Sequence, residues 1–192
     1  ATPFLVFIVT RSLYFPFITG KNFTFRILIE VLAALWVAAA VRFPRFRPQS
    51  SALLWAVVAF IAVMGIATLL ALSPERSFWS NFERMEGYIG LLHLFLYFIL
   101  LISVFRGESD WRLFFHSSLA ASVLVAFYGI MQLVGSFEIH QGGTRVDATF
   151  GNATYLAAYL LFHLFFLIWV FLRSDKLWLR TAYGAVFLLE LI

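Results

Sequence analysis

Five residues in or beside the loops of this chain have side chains suited to binding an anion. Four are cations, and the fifth is an asparagine at the expected start of a helix: Lys21, Arg26, Arg84, Arg145 and Asn152. Arginine suits phosphate because its planar guanidinium donates two parallel hydrogen bonds to one phosphate group. These residues predict a site for a phosphate-bearing ligand. The alternative is that each cation only contacts lipid headgroups at the membrane surface.

The segments that must position these residues are strongly apolar. Hydrophobic residues make up 62% of the 192 residues and charged residues 12%, which leaves too little polar surface for a water-soluble globule. We therefore expect an all-α, polytopic membrane helix bundle with five complete transmembrane helices and a partial one at each end. The five segments have close to the roughly 20 residues that span a bilayer, and the partial ones flank them: 22–41, 52–72, 88–105, 113–134 and 153–172, with 4–19 and 181–192.

Residues 1–192 are predicted to form a single transmembrane domain, with two longer loops at 73–87 and 135–152. Because the chain lacks an initiator Met and ends inside an apolar run, we expect it to be a fragment of a longer protein. It contains no Cys, which excludes a disulfide framework and a Cys nucleophile.

Loop charges predict the side of the membrane on which each loop lies. Cytoplasmic loops are enriched in Lys and Arg, and one set of loops carries eight such residues against five on the opposite side. Loops 73–87 and 135–152 belong to the less basic side and are expected to face the exterior. The more basic, cytoplasmic loops are 42–51, 106–112 and 173–180.

In this topology three helices begin at the outer surface. Helix N-termini are electropositive and carry N–H groups without intrahelical partners, so they favour anions such as phosphate. Asn22 and Asn152 lie at expected N-cap positions. The outer ends of these helices are therefore the predicted place for the anion site.

The loop 135–152 leads into the last complete segment. Side chains alternate over 145–150, which predicts a short extended piece with Arg145 and Asp147 on the same side. Because the next helix follows directly, Arg145 is expected to lie over its N-terminus. The alternative is a structural turn in which Arg145 forms an ion pair with Asp147 or Glu138.

The loop 73–87 combines a helix-start signal with apolar residues. Pro74 after Ser73 favours a helix beginning there. Phe78, Phe82 and Met85 have the spacing of one apolar face, which predicts a helix lying in the membrane interface. Lining an entrance for a lipid-linked substrate is the alternative role of this loop.

Glu30 would lie roughly 12 Å inside the membrane at 1.5 Å per residue. A carboxylate at such depth needs a partner or a water-filled cavity, and Arg26, one helical turn away, is the expected partner. The four His residues lack metal-ligand spacing, so we expect no metal or other cofactor. The basic residues are spread among loops instead of forming one stripe, which excludes a nucleic-acid partner.

Three stretches resemble the family of O-antigen ligases and polymerases of the bacterial inner membrane. The first, 145–160, reads RVDATFGNATYLAAYL, with an Arg-containing segment leading through Thr-Phe-Gly-Asn into a helix. Two others are similar to a large-protein branch of that family: 15–26 (FPFITGKNFTFR) and 77–87 (SFWSNFERMEG). One departure is Ala153, since the family often has Pro after Gly-Asn.

The resemblance implies a metal-independent membrane glycosyltransferase of lipopolysaccharide biosynthesis. Such enzymes move a glycan from an undecaprenyl-pyrophosphate carrier to a lipid, protein or glycan acceptor at the periplasmic face of the inner membrane. Arg145 is the residue that the resemblance points to as a pyrophosphate ligand, whereas Asn152, Arg84, Lys21 and Arg26 rest on the topology argument. The catalytic residues are expected beyond Ile192, so this fragment alone is expected to be inactive.

Two other classes of function remain open from the sequence. A transporter or flippase of a lipid-linked saccharide also needs a basic cavity with a lateral entrance, and inverted-repeat helices would favour it. A non-catalytic membrane scaffold would tolerate simultaneous loss of Arg145, Arg84 and Lys21.

Overall fold

The computed structural model describes residues 1–81, 83–141 and 143–191. Phe82, Gly142 and Ile192 lie outside the described residues. Parts of the predicted apolar face of loop 73–87 and the end of the last apolar segment therefore also lie outside them. All regular secondary structure in the described residues is helical. The α-helices are α1 (Thr19–Arg42), α2 (Ala52–Leu69), α3 (Pro74–Trp79), α4 (Tyr88–Val104), α5 (Glu108–Leu133), α6 (Ala153–Leu172) and α7 (Leu177–Leu189).

Within the described residues, four of these helices are long and apolar enough to cross a membrane: α1, α2, α5 and α6. The helix α4, with 17 residues, and α7, with 13, are shorter apolar helices. The predicted all-α membrane helix bundle is confirmed. The protein is membrane-embedded.

The first predicted partial helix, 4–19, differs in the structure. Its first residues belong to a 3-10 helix, Thr2–Phe7, and turns precede the start of α1 at Thr19. Arg11 interrupts the apolar run, and Pro16 has no backbone N–H to continue a helix. Residues 4–19 therefore do not form one continuous helix.

Helix starts follow local capping chemistry. The Ser51 hydroxyl accepts a hydrogen bond from the Leu54 N–H at 3.1 Å and caps α2. The Asp110 carboxylate accepts one from the Gly107 N–H at 3.1 Å, which starts α5 before the apolar run begins. The prediction that Asn22 is an N-cap is wrong: α1 starts at Thr19, and the Asn22 N–H already bonds to the Ile18 carbonyl.

The chain separates into two compact units, and the single transmembrane domain stays a prediction. The N-terminal unit consists of residues 11–106 and contains α1 to α4. The C-terminal unit consists of residues 1–10 and 107–192 and contains α5 to α7 with the 3-10 helix Thr2–Phe7.

In the N-terminal unit α4 packs against α1, α2 and α3. Only 6% of the membrane-spanning window of α2 is buried, so most of this helix presents apolar side chains outward as a lipid-facing helix does. The Tyr88 hydroxyl at the start of α4 donates to the Ile61 carbonyl of α2 at 2.9 Å and ties the two helices together.

In the C-terminal unit α5 and α6 pack closely because small residues line their contact. Ala121, Val125 and Ala126 of α5 are buried against Leu156 and Leu160 of α6. Small side chains allow membrane helices to approach and gain van der Waals contact. The helix α7 packs on both of these helices.

Gly87 provides a test of how closely the residues of loop 73–87 pack against one another. A methyl group at this position would contact the Phe78 carbonyl and lie 2.6 Å from the Ser77 carbonyl oxygen. Backbone atoms cannot move aside as easily as the end of a flexible side chain. We therefore expect Gly87→Ala to lower the free energy of unfolding by about 1–3 kcal/mol, as overpacking does. The melting temperature of the full-length protein in detergent should fall accordingly.

Gly184, in the middle of α7, is the matched control. Among the described residues, no atom outside the backbone of its own helix and its chain neighbours lies within 4 Å of a methyl group placed there. Gly184→Ala should therefore be neutral or stabilising by up to about 1 kcal/mol through helix propensity. Equal melting temperatures for the two variants would show that Gly87 is not closely packed.

Candidate functional site

The five predicted anion-binding residues fall in both units. Lys21, Arg26 and Arg84 belong to the N-terminal unit, where the structure brings them to the region in which the start of α1 meets loop 80–87. Arg145 and Asn152 belong to the C-terminal unit, at the start of α6.

Arg26 is engaged with the backbone of the neighbouring loop. Its side chain is 8% exposed, and its guanidinium donates a hydrogen bond to the Met85 carbonyl. Asn22, one turn earlier, donates to the Arg84 carbonyl at 3.4 Å. Two polar side chains of α1 therefore hold the backbone of residues 84–85, and this positioning role was missed from the sequence.

The two other cations of this unit that were predicted to bind the anion also contact protein groups. The Arg84 guanidinium forms an ion pair with the Glu86 carboxylate at 2.7 Å and lies over the Phe15 ring, 5.4 Å from its centroid. The Lys21 ammonium donates to the Phe17 carbonyl at 2.9 Å. Their binding of pyrophosphate stays a prediction, and it would have to exchange these contacts.

The structure corrects the predicted partner of Glu30. The Glu30 carboxylate lies 3.0 Å from Nε2 of His93 on α4, and no Arg26–Glu30 ion pair is found among the described residues. The His93 Nδ1 contacts the Ile89 carbonyl at 2.8 Å, which orients the ring. Arg26 is held elsewhere by the Met85 carbonyl, so the membrane carboxylate pairs across helices instead of along its own helix.

In the C-terminal unit a buried carboxylate organises the loop before α6. Asp147 is completely buried, and one oxygen accepts from the backbone N–H groups of His140 and Gln141, both at 2.8 Å. The other accepts from the Gln132 amide at 2.7 Å and lies 3.3 Å from His140 Nδ1. These bonds satisfy a charge whose burial would otherwise be costly.

The Gln132 side chain also bonds to the backbone of the loop. Its side-chain oxygen accepts from the backbone N–H groups of Asp147 and Ala148, at 3.2 and 2.8 Å, while its amide also donates to the Glu138 carbonyl at 2.6 Å. The end of α5 therefore holds both sides of the loop. Gly129 lets the loop approach, since a methyl group there would lie 3.0 Å from the Val146 side chain.

The N-terminus of α6 is capped by two side chains. Asn152 accepts from the Thr154 N–H at 2.8 Å, which confirms the predicted N-cap. Gln141 accepts from the Ala153 N–H at 2.9 Å. Two of the first N–H groups of α6 are thus bonded to protein, so this helix end supplies its positive dipole to a ligand but not these two donors.

Arg145 differs from the other predicted cations. It is exposed, and within the described part of the chain it forms no hydrogen bond and no ion pair, so the alternative pairing with Asp147 or Glu138 is not found. Arg145 and Asp147 have different environments, since Arg145 is exposed whereas Asp147 is fully buried. The extended course does not continue past Asp147, because Ala148 has a φ of 44° and the chain turns there.

Arg145 lies at the edge of an apolar cleft of about 470 Å³ in the C-terminal unit. The walls come mainly from α5 and α6, with Leu156, Leu160 and Leu164 among them, and Glu190 contributes a carboxyl. The cleft therefore combines an exposed cation with a hydrocarbon-lined wall. Such a site suits a ligand with an anionic group attached to an apolar chain.

Comparisons with known proteins found no match. No protein-family model, curated protein or solved structure matches the chain. Among the residues that the structure describes, no three His, Asp or Glu side chains group closely enough to hold a metal ion.

Asp147 provides a test of the loop arrangement. We expect Asp147→Ala to destabilise the full-length protein by about 2–4 kcal/mol, because each buried donor left without an acceptor costs about 1–3 kcal/mol. Thermal unfolding in detergent and limited proteolysis of loop 135–152 would measure this effect. Glu138→Gln is the control, since Glu138 is exposed and should change stability by less than about 0.5 kcal/mol. Similar melting curves for both variants would contradict the central role of Asp147.

Proposed function

We propose that this chain is part of a membrane glycosyltransferase similar to O-antigen ligases and polymerases. It would take a glycan from an undecaprenyl-pyrophosphate carrier and transfer it to a lipid, protein or glycan acceptor. The observation that carries the proposal is Arg145, an exposed cation without an ion pair in the described chain, at the edge of an apolar cleft. A polyprenyl pyrophosphate has the matching halves, a dianionic head and a hydrocarbon tail.

The proposed role of Arg145 is to stabilise the leaving group. In the transfer, an acceptor hydroxyl attacks the sugar C1, the bond from C1 to the pyrophosphate oxygen breaks, and the pyrophosphate leaves with the electron pair. Negative charge therefore grows on the oxygen that Arg145 would contact. A guanidinium beside that oxygen stabilises such charge, and the effect grows when the bound lipid displaces water from this exposed side chain. The base that takes the acceptor's proton is expected in the later external loop that the family resemblance implies.

The other predicted residues have supporting roles in this proposal. Asn152 caps α6, the helix that follows the loop carrying Arg145. In the N-terminal unit, Arg84 and Lys21 would bind a phosphate group only by giving up their present contacts, and Arg26 acts on the loop backbone. The outer face of a bacterial inner membrane is the proposed location, from the loop charges and the resemblance.

One observation favours the alternative, a transporter or flippase of a lipid-linked saccharide. Glu30 and His93 pair across two apolar helices, and the Glu30 side chain is 62% exposed. Ionisable pairs within membrane helices often mark substrate or proton pathways. For the transferase the same pair would only join α1 to α4.

The decisive experiment measures glycan transfer by the full-length protein in membranes supplied with undecaprenyl-pyrophosphate glycan and acceptor fractions. We expect Arg145→Ala to lower the transfer rate by about 10²-fold, the loss typical of removing one preorganised donor. Arg145→Lys should fall between, because it keeps the charge but not the planar fork. Arg112→Ala is the control, since Arg112 is ion-paired to Glu108 in the same unit.

Unchanged transfer by Arg145→Ala at normal protein levels would remove Arg145 from the site. Absence of transfer to every acceptor, combined with movement of the lipid-linked glycan across vesicle membranes that Glu30→Gln abolishes, would favour the transporter.

A further inference from the structure

The N-terminal unit contains a larger cavity, of about 1050 Å³, between the start of α1 and loop 73–85. We propose that this cavity is a saccharide-binding site. The residues that would do the binding are two aromatic side chains, two carboxylates, an amide and a hydroxyl: Phe23, Trp79, Glu75, Glu83, Asn81 and Thr19.

Trp79 presents an aromatic surface that is held in place. It is 42% exposed although it is large and apolar. Phe78 packs edge-on against it with the ring centroids 4.8 Å apart, and Phe78 in turn lies 6.2 Å from the Tyr88 ring. Tyr88 is anchored to α2 through its hydroxyl. A fixed, exposed indole can pack against the C–H face of a pyranose ring at little entropic cost.

The polar groups around Trp79 are those that bind sugar hydroxyls. Carboxylates and amides accept hydrogen bonds from adjacent hydroxyls, and charged acceptors bind more strongly. One oxygen of Glu83 accepts from the Tyr14 N–H at 2.9 Å, which fixes the carboxylate and leaves its other oxygen without a partner in the described residues. Glu75 and Asn81 are exposed at the cavity.

Thr19 adds an unsatisfied hydroxyl at the cavity wall. The residue is completely buried, and within the described chain its hydroxyl has no hydrogen-bond partner. Buried polar groups are nearly always paired in native proteins. Because this hydroxyl is closed to solvent, a hydroxyl-rich ligand would supply the missing partner only after the neighbouring side chains shift.

The contacts of Arg26 and Asn22 help to shape this cavity. They hold the carbonyls of Met85 and Arg84, and so fix the loop that carries Glu83. Ser80, Glu83 and Met85 have positive φ angles of 65°, 64° and 48°, which place the side chains of this loop in unusual directions. The cavity is lined by two carboxylates, Glu75 and Glu83, and one cation, Arg76, so the net negative charge of its lining favours a neutral, hydroxyl-rich saccharide over a pyrophosphate.

The identity of the saccharide rests on the proposed function: the saccharide would be the glycan of the lipid-linked donor. The probe is the oligosaccharide released by mild acid from that donor lipid, without its lipid or phosphate. Saturation-transfer difference NMR with the full-length protein in nanodiscs would measure its binding. We expect saturable binding that weakens about tenfold in Trp79→Ala, the effect of losing one aromatic stacking contact.

Three further variants make the test specific. Trp79→Phe keeps an aromatic ring and should retain most of the affinity, and Glu75→Gln should weaken binding without removing packing. Trp55→Ala is the matched control, because Trp55 is an exposed tryptophan on α2 that does not line the cavity. If Trp79→Ala fails to fold, Glu75→Gln decides the question.

Absence of saturable binding to the wild type, or equal binding by the Trp79, Glu75 and Trp55 variants, would overturn the saccharide site. Transfer that depends on Arg145 but occurs without binding of the free oligosaccharide would reject the saccharide site and leave the proposed function intact. Binding that depends on Trp79, with no transfer to any acceptor, would support the site and reject the transferase.

Discussion

The buried carboxylate of Asp147 is the group on which the geometry of the C-terminal unit depends. A charge without solvent contact is tolerated only when hydrogen bonds replace its hydration, and here two backbone N–H groups and the Gln132 amide do so. These bonds close the loop onto the end of α5. The loop residue Gln141 then reaches the start of α6, and Arg145 is left at the edge of the apolar cleft. The position of the exposed cation thus follows from the satisfaction of a buried anion.

The N-terminal unit uses the same principle with the opposite polarity. The guanidinium of Arg26 is almost buried, and it donates to the Met85 carbonyl of the neighbouring loop. Asn22 donates to the adjacent carbonyl. Irregular backbone at the end of a membrane helix exposes carbonyls that need donors, and α1 supplies them. The loop so held forms one wall of the cavity that carries Trp79 and Glu83.

Residue type alone could not separate ligand-binding cations from structural ones. Arg26, Arg84 and Arg145 are chemically identical, yet the first bonds to a carbonyl, the second pairs with Glu86 and the third is exposed. Glu30 shows the same limit. Its spacing from Arg26 suits a pair within one helix, but His93, distant in sequence, lies 3.0 Å away on α4. Partners that come from other elements are decided by packing, which local spacing does not encode.

The sequence by itself determined the properties that depend on composition and local chemistry. The all-α membrane bundle follows from long apolar segments, because every backbone group in lipid must be bonded within its own helix. The Asn152 cap follows from the short polar side chain before an apolar run. Only the tertiary structure decided that Asp147 is buried while Arg145 is exposed, that Gln132 and Gln141 hold the loop, and that Trp79 lines a cavity with Glu75 and Glu83. These outcomes depend on which polar groups meet when helices pack, and each group's environment is set by residues far away in the chain.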